Sequence, residues 1–191
     1  MFFNFIHNIN WVDLLLIGLG IRIIYIGIKN GFVDELFKCV GILSAIFITF
    51  HYYTPLAKLL HERIGLAESL LTVLCFGFLF AGVLLLFKLI REGITLVLKI
   101  QAHSILDRWG GFAVSLLRSL LAGSVVLISL QVSGIEYFQK NVKKSLFSLY
   151  LLDLSPDFYK AFYEGCISKF FPNEKFNPAV FQLKTEKEDS K

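Results

Sequence analysis

Long apolar runs separated by short polar stretches set the pattern of this chain. Four runs reach the roughly 20 residues that a helix needs to cross a hydrocarbon core about 30 Å thick. They are Trp11 to Ile28, Val33 to Tyr53, Leu70 to Ile90 and Gly110 to Leu130. Their apolar character is continuous, whereas outer-membrane barrel strands alternate apolar and polar positions over about ten residues at a time. The pattern predicts an all-α, polytopic membrane protein with four transmembrane helices.

The connections differ in length and chemistry. Lys29-Asn30-Gly31-Phe32 is so short that the first two spans are expected to form an antiparallel hairpin. The stretch 54–69 carries Pro55 and Gly65 and has room for a short surface helix. The stretch 91–109 sets Ile94, Val97, Leu98, Ile105 and Leu106 among Lys99, Gln101, His103 and Asp107. It either lies at the interface or prolongs the third span. Beyond Gln131 the segments are too short and too charged to cross: Lys140, Lys143 and Lys144, then 146–154, then the aromatic stretch 158–171. One or two amphipathic helices against the membrane are expected there, broken at Ser155-Pro156, with a frayed polar end from Lys184. The division expected is a four-span membrane domain (1–132), an amphipathic membrane-associated tail (133–183) and a disordered polar end (184–191).

Composition agrees with lipid as the main solvent. Hydrophobic residues are 55% of the 191 and charged residues only 18%, with a mean hydropathy of +0.66, outside the range of water-soluble domains. The net charge of +4 is scattered between the apolar runs and forms no basic face, so no nucleic acid is expected as a partner. Lys29, Arg91, Lys99 and Arg108 fall in the first and third connections, with Lys38 and Lys88 just inside the adjoining spans; Lys58 and Arg63, and the lysines of the tail, fall on the other face. The short-loop bias puts connections one and three in the cytoplasm and both termini outside. The segment 1–10 has no Lys or Arg ahead of the first apolar run, so it lacks the basic start of a cleavable signal, and the first span is expected to be retained.

Cys39, Cys75 and Cys166 have unrelated spacings, and no His pair sits at i, i+3 or i+4. Neither a disulfide framework nor a metal site is indicated, and the cysteines read as small apolar fillers. No nucleophile elbow, zinc-protease helix, phosphate loop or dinucleotide fingerprint occurs. Enzymatic activity and cofactors are not expected.

Charge inside the runs is the anomaly, because each ionised side chain at a span centre costs about 2.5–3.5 kcal/mol on insertion scales. At a rise of 1.5 Å per residue, Arg22 lies roughly 9 Å and Arg118 roughly 12 Å from the same face. Asp34 and Glu35 open the second span at that face, and Asp107-Arg108 precede the fourth. An intramembrane charge network of Arg22, Asp34, Glu35, Asp107, Arg108 and Arg118 is expected, with Glu35 and Arg118 at its centre. The alternative is that each arginine snorkels to the interface on its long stem. In the fourth run Gly111, Ser115, Ser119 and Gly123 recur every four residues, a spacing that lets helix backbones approach closely. Gly111, Ser115, Arg118, Ala122 and Ser129 share one sector at 100° per residue, so Arg118 is expected on the packing face. Gly27 and Gly31 repeat the spacing at the first turn, where turn chemistry alone also explains them.

The order of these features resembles the colicin V production protein family. The residues that carry the resemblance are Asp13, the turn Asn30-Gly31-Phe32-Val33-Asp34-Glu35, His51-Tyr52-Tyr53, and above all Asp107, Arg108, Gly111 and Arg118. The likeness extends from Trp11 to about Leu130. Asn30 stands where that family usually has Arg, and Ser115 and Ser119 stand where glycines are commoner. The resemblance implies a small four-span bacterial inner-membrane protein associated with export of the peptide toxin colicin V, with envelope homeostasis and with tolerance of bile-type detergents.

Two functional readings follow. In one, the protein supports toxin production or export and envelope integrity by a transport or channel-like activity built on Arg22, Glu35 and Arg118. In the other, it is a non-transporting scaffold that binds membrane proteins, or a second copy of itself, through the small-residue face and the tail. The lipid bilayer is a partner in both.

Overall fold

A computed structural model describes residues 10–97, 105–170, 176, 177 and 180. Four long helices dominate: α1 (Trp11–Asn30), α2 (Phe32–Ile64), α3 (Glu68–Val97) and α4 (Ile105–Val132). Shorter ones follow in the tail: α5 (Glu136–Lys144), α6 (Ser148–Leu151) and α7 (Leu154–Phe162), which continues through a π-helical turn, Tyr163–Ile167, into Ser168–Phe170. The described residues contain no strand.

Among the described residues three helices are long and apolar enough to cross a membrane: Trp11–Asn30, Leu70–Ile94 and Asp107–Val132. The fourth expected span, 33–53, lies within α2 and is not among the three. α2 carries much of the core, with Ile42, Ile46, Phe50 and Tyr53 packed on Phe76 of α3 and on Leu121, Val125 and Ile128 of α4. Leu14, Ile21, Leu74, Phe78, Leu85 and Leu86 point outward instead. An outer surface so rich in large apolar side chains suits contact with lipid tails and not with water.

The expected α1–α2 hairpin is replaced by a different pairing. A single residue, Gly31, joins the two helices, yet α1 packs mainly along α4, and α2 packs between α3 and α4. The reason lies in residue size. A Cβ on Gly27 would overlap Ser115 Cβ and Oγ, and one on Gly111 would come within 2.7 Å of the Gly27 carbonyl oxygen. Only hydrogen and a small serine side chain let α1 and α4 meet this closely, and the close approach seats α4 against the turn. Gly31 itself has φ 85°, and a Cβ there would overlap the Asp107 carboxylate. Gly27 and Gly31 therefore do more than make a turn.

Two further expectations are corrected. The second connection holds no separate surface helix, because α2 runs on through Pro55 to Ile64 and ends at Gly65 in the left-handed conformation. Ala57 beyond the proline is still buried, so packing outweighs the one helical hydrogen bond that proline removes. In the tail, Ser155-Pro156 does not break the helix but lies in the first turn of α7, where the missing proline N–H would have had no helical partner. The third connection prolongs the third helix to Val97; 98–104 lie outside the described residues, as do 1–9 and the end from 181.

The tail folds back onto the bundle. Tyr159 of α7 and Val180 join the core around Phe50, while Val142 of α5 packs with Val12, Leu16 and Leu127. Trp11 stacks on Tyr137 with ring centroids 6.4 Å apart. Cys39 and Cys75 are buried free thiols.

Candidate functional site

Residues from all four long helices converge near the Gly31 turn. The first turn of α2 supplies Asp34 and Glu35, and acidic groups suit a helix N-terminus because the backbone dipole is positive there. Lys38 lies one turn further on. Its Nζ is 2.6 Å from Asp34 and 2.7 Å from Glu35, which the i+4 and i+3 spacings permit on one helix face. Arg91 of α3 reaches Asp34 with Nη1 at 2.9 and 3.1 Å from the two carboxylate oxygens. Arg118 of α4 lies 2.9 Å from Glu35, and Asn30 donates to Glu35 from the end of α1 at 3.4 Å. Glu35 is wholly enclosed, and the Arg118 side chain is 15% exposed.

The cluster joins two carboxylates to three cations. Its central pair is a charge contact without an aligned hydrogen bond, since neither Glu35 Oε2 nor Arg118 Nε has a hydrogen-bond partner among the described residues. The close Lys38 ammonium supports Glu35 from the other side. A carboxylate with two cations beside it is far cheaper to hold away from water than a lone one.

Of the other expected members, Asp107 is at the same end with a different task. Its carboxylate accepts the Phe32 N–H at 2.7 Å, so α4 caps the start of α2 across a separation of 75 residues. Arg108 is exposed. Arg22 is also exposed, on the outer side of α1, and no ion pair joins it to the cluster among the described residues. Its long stem suits the snorkelling alternative. In the sequence Lys38 and Arg91 stand as charges that orient the chain, although Lys38 at i+4 from Asp34 and i+3 from Glu35 carries a signal of pairing. For Arg91 no local spacing could have named its partner.

The small residues of α4 divide as well. Gly111 and Ser115 form the contact with α1. Gly123 is held between Leu16 and Leu151, which a Cβ would meet at 3.4 and 3.3 Å. Ala122 packs at the edge of the main core. Ser119 is half-buried, with its hydroxyl donating to the Leu116 carbonyl at 2.8 Å.

Beside the cluster lies a cavity of about 560 Å³, with walls from all four long helices. Lys38, Lys88, Arg91 and Arg118 lie toward one end, and Phe80, Val125 and Ser129 toward the other.

With this geometry in hand, the comparison with known families is decisive. The family model described as Colicin V production protein matches residues 12–156. The chain belongs to that family. No curated protein and no solved structure matches it significantly. The match starts beside Asp13 and ends at Pro156, so the colicin V production region takes in the four long helices and the start of the tail. Family and apolar helices together make this a membrane protein of colicin V production.

Asp13, at the start of the match, holds the other end of the bundle. Its enclosed carboxylate accepts the Asn10 N–H at 3.0 Å, the Ser145 hydroxyl and the Phe147 N–H at 3.4 Å. Nearby, the Asn10 amide donates to the Asn141 carbonyl at 2.8 Å. A carboxylate with several donors needs no cation to be buried. His51 closes a further set of contacts: its Nδ1 lies 3.1 Å from the Tyr159 hydroxyl. That hydroxyl also accepts the Asn177 N–H at 3.2 Å, and the Asn177 amide donates to the Phe50 carbonyl at 2.7 Å.

Proposed function

We propose that the protein is a four-span inner-membrane protein with both termini outside the cytoplasm. It supports production and export of a colicin V-type toxin and the upkeep of the cell envelope. In this reading α2 is the fourth span, α5 and α7 lie along the membrane surface, and the charge cluster occupies the cytoplasmic half of the bundle. The cluster is a working part and not only a clamp. The observation that supports this is the position of its cations: Lys38, Arg91 and Arg118 pair with carboxylates and also line the cavity. A clamp alone would be as well served with no cavity beside it. The alternative scaffold reading loses part of its proposed contact surface, because Gly111, Ser115 and Gly123 are already occupied within the chain.

The test is complementation of a deletion strain, scored by toxin export and by survival in bile-type detergent. Arg91 suits the purpose because it is partly exposed and because Asp34 keeps Lys38 as a partner without it. Wild type and Arg91→Lys are expected to restore both traits, and Arg91→Gln to reach the membrane in normal amount but restore neither. Full complementation by Arg91→Gln at normal level would make the cluster structural and return the scaffold reading to first place. A reporter fused after Lys191 is expected to be active outside the cytoplasm, and a cytoplasmic signal would invert the topology.

A further inference from the structure

We infer that the cavity among the four long helices is a binding site for a single-chain amphiphile with an anionic head group, a carboxylate or a phosphate. The inference rests on the membrane placement of the bundle and goes beyond the support of toxin production.

The shape of the cavity argues first. On α4 its lining runs from Arg118 to Ser129, about 16 Å along the axis at 1.5 Å per residue. On α3 it runs from Phe80 to Arg91 and on α2 from Phe37 to Ile42. In each case the cations lie at or within one turn of the end nearest the Gly31 turn, and the remaining wall is almost entirely apolar. The volume of about 560 Å³ is within the usual size of small-molecule sites. The space is thus elongated, cationic at one end and oily along its length, which matches an acyl chain below a charged head.

Charge balance argues second. At the charged end Lys38, Arg91 and Arg118 face Asp34 and Glu35, an excess of one positive charge among the described residues. The other charges at this end do not cancel it. Asp107 is turned to the Phe32 N–H, Arg108 is exposed, and Lys88 lies 3.9 Å from Glu92. The Arg118 side chain lines the cavity and is 15% exposed, so its guanidinium has capacity for a further acceptor.

A third consideration decides which part of the ligand confers selection. Inside a bilayer an acyl chain gains little by leaving lipid for an apolar pocket, because the two surroundings are equally oily. The chain gives fit, and the head must give preference. A neutral amphiphile of the same length would enter with no advantage over bulk lipid, whereas an anionic head would meet the net positive end.

The experiment uses the full chain in nanodiscs of phosphatidylcholine and a diazirine-bearing palmitate, with labelled peptides identified by mass spectrometry. Labelling is expected on cavity-lining segments of α3 and α4, around Leu84 and Val125. Palmitate and lysophosphatidic acid should displace the probe at least about tenfold better than palmitoyl alcohol, the scale of one charge-assisted hydrogen bond. If only one of the two acids does so, the site is still anion-selective and the head group is assigned. Arg91→Gln should keep the labelled sites but lose most of the preference over the alcohol, and Val126→Trp should lower labelling by filling the space. Equal displacement by the alcohol would overturn the inference, as would label spread over outward side chains such as Phe78 and Leu85. Binding is read here without export, so full complementation by Arg91→Gln, with selective labelling of the wild-type cavity intact, would count against the functional proposal alone.

Discussion

The two ends of the bundle solve the same problem by different means. Near Gly31, enclosed carboxylates are matched with cations from three helices, and the helices touch through glycine and serine. At the far end, Asp13 is matched with backbone and hydroxyl donors, and the contacts of Phe50, Phe76 and Tyr159 are aromatic. Formal charge sits where the bundle borders a cavity, and neutral hydrogen bonds sit where the tail closes over the core. Charge pairs are costly to bury and fail badly when one member is lost; neutral donors cost less and fail gently. The charged end is therefore expected to be the less tolerant of substitution.

Several substitutions sharpen that contrast, and all can be followed by thermal unfolding in neutral detergent. The largest effect is expected for Arg118→Leu, which leaves Glu35 enclosed with one cation fewer. Losing one partner of a buried pair costs about 3–5 kcal/mol, and adding Glu35→Gln should recover part of it. If the single change costs no more than a surface substitution, the pair is not a buried unit. Gly27→Val ranks next at about 1–3 kcal/mol or more, the scale of overpacking, because its side chain would collide with Ser115. Ser115→Gly in the same chain should relieve part of that loss, and no relief would show that the α1–α4 contact lies elsewhere.

At the neutral end the losses should be smaller. Tyr159→Phe removes a hydroxyl that meets both His51 and Asn177, with an expected cost of about 1–3 kcal/mol. It should also change the alkaline limb. Burial pushes the Tyr159 phenol above its ordinary value of 10.0, so the folded state prefers the neutral form. That preference is fully present below pH about 10 and is lost as pH rises through the folded value. Wild type should lose stability above pH about 10 more steeply than Tyr159→Phe; equal slopes would remove Tyr159 as the cause. Ser145→Ala should cost only about 1 kcal/mol, since Asp13 keeps its two backbone donors. Lys140→Gln, at an exposed pair with Glu136, is expected to fall within about 0.5 kcal/mol of wild type.

The same contrast explains what could be read from the sequence. Charge within an apolar run is conspicuous, so Glu35 and Arg118 were recognisable before any fold was known, and the four-residue spacing marked Gly111 and Ser115 as packing positions. Periodicity says which face of a helix is small but not which neighbour fills it, and so the α1–α4 pairing was missed in favour of a hairpin. Arg22 was drawn into the cluster by depth alone, although depth carries no information about the side of the helix. The tail was the least legible part. Its anchors, Asp13 with Ser145 and the Phe50 carbonyl with Asn177, join residues 132 and 127 positions apart, and no residue taken singly points to its partner.

The wedging of α4 against α1 has a consequence for how the chain is made. Asp34 and Glu35 leave the ribosome well before their distant partners. Arg91 follows Asp34 by 57 residues, about 3–11 s at roughly 5–20 residues per second, and Arg118 comes later still. During that interval Lys38, one helical turn away, offsets one of the two negative charges of the young second helix. Removal of the lysine is therefore expected to lower insertion yield before it tells on the finished protein.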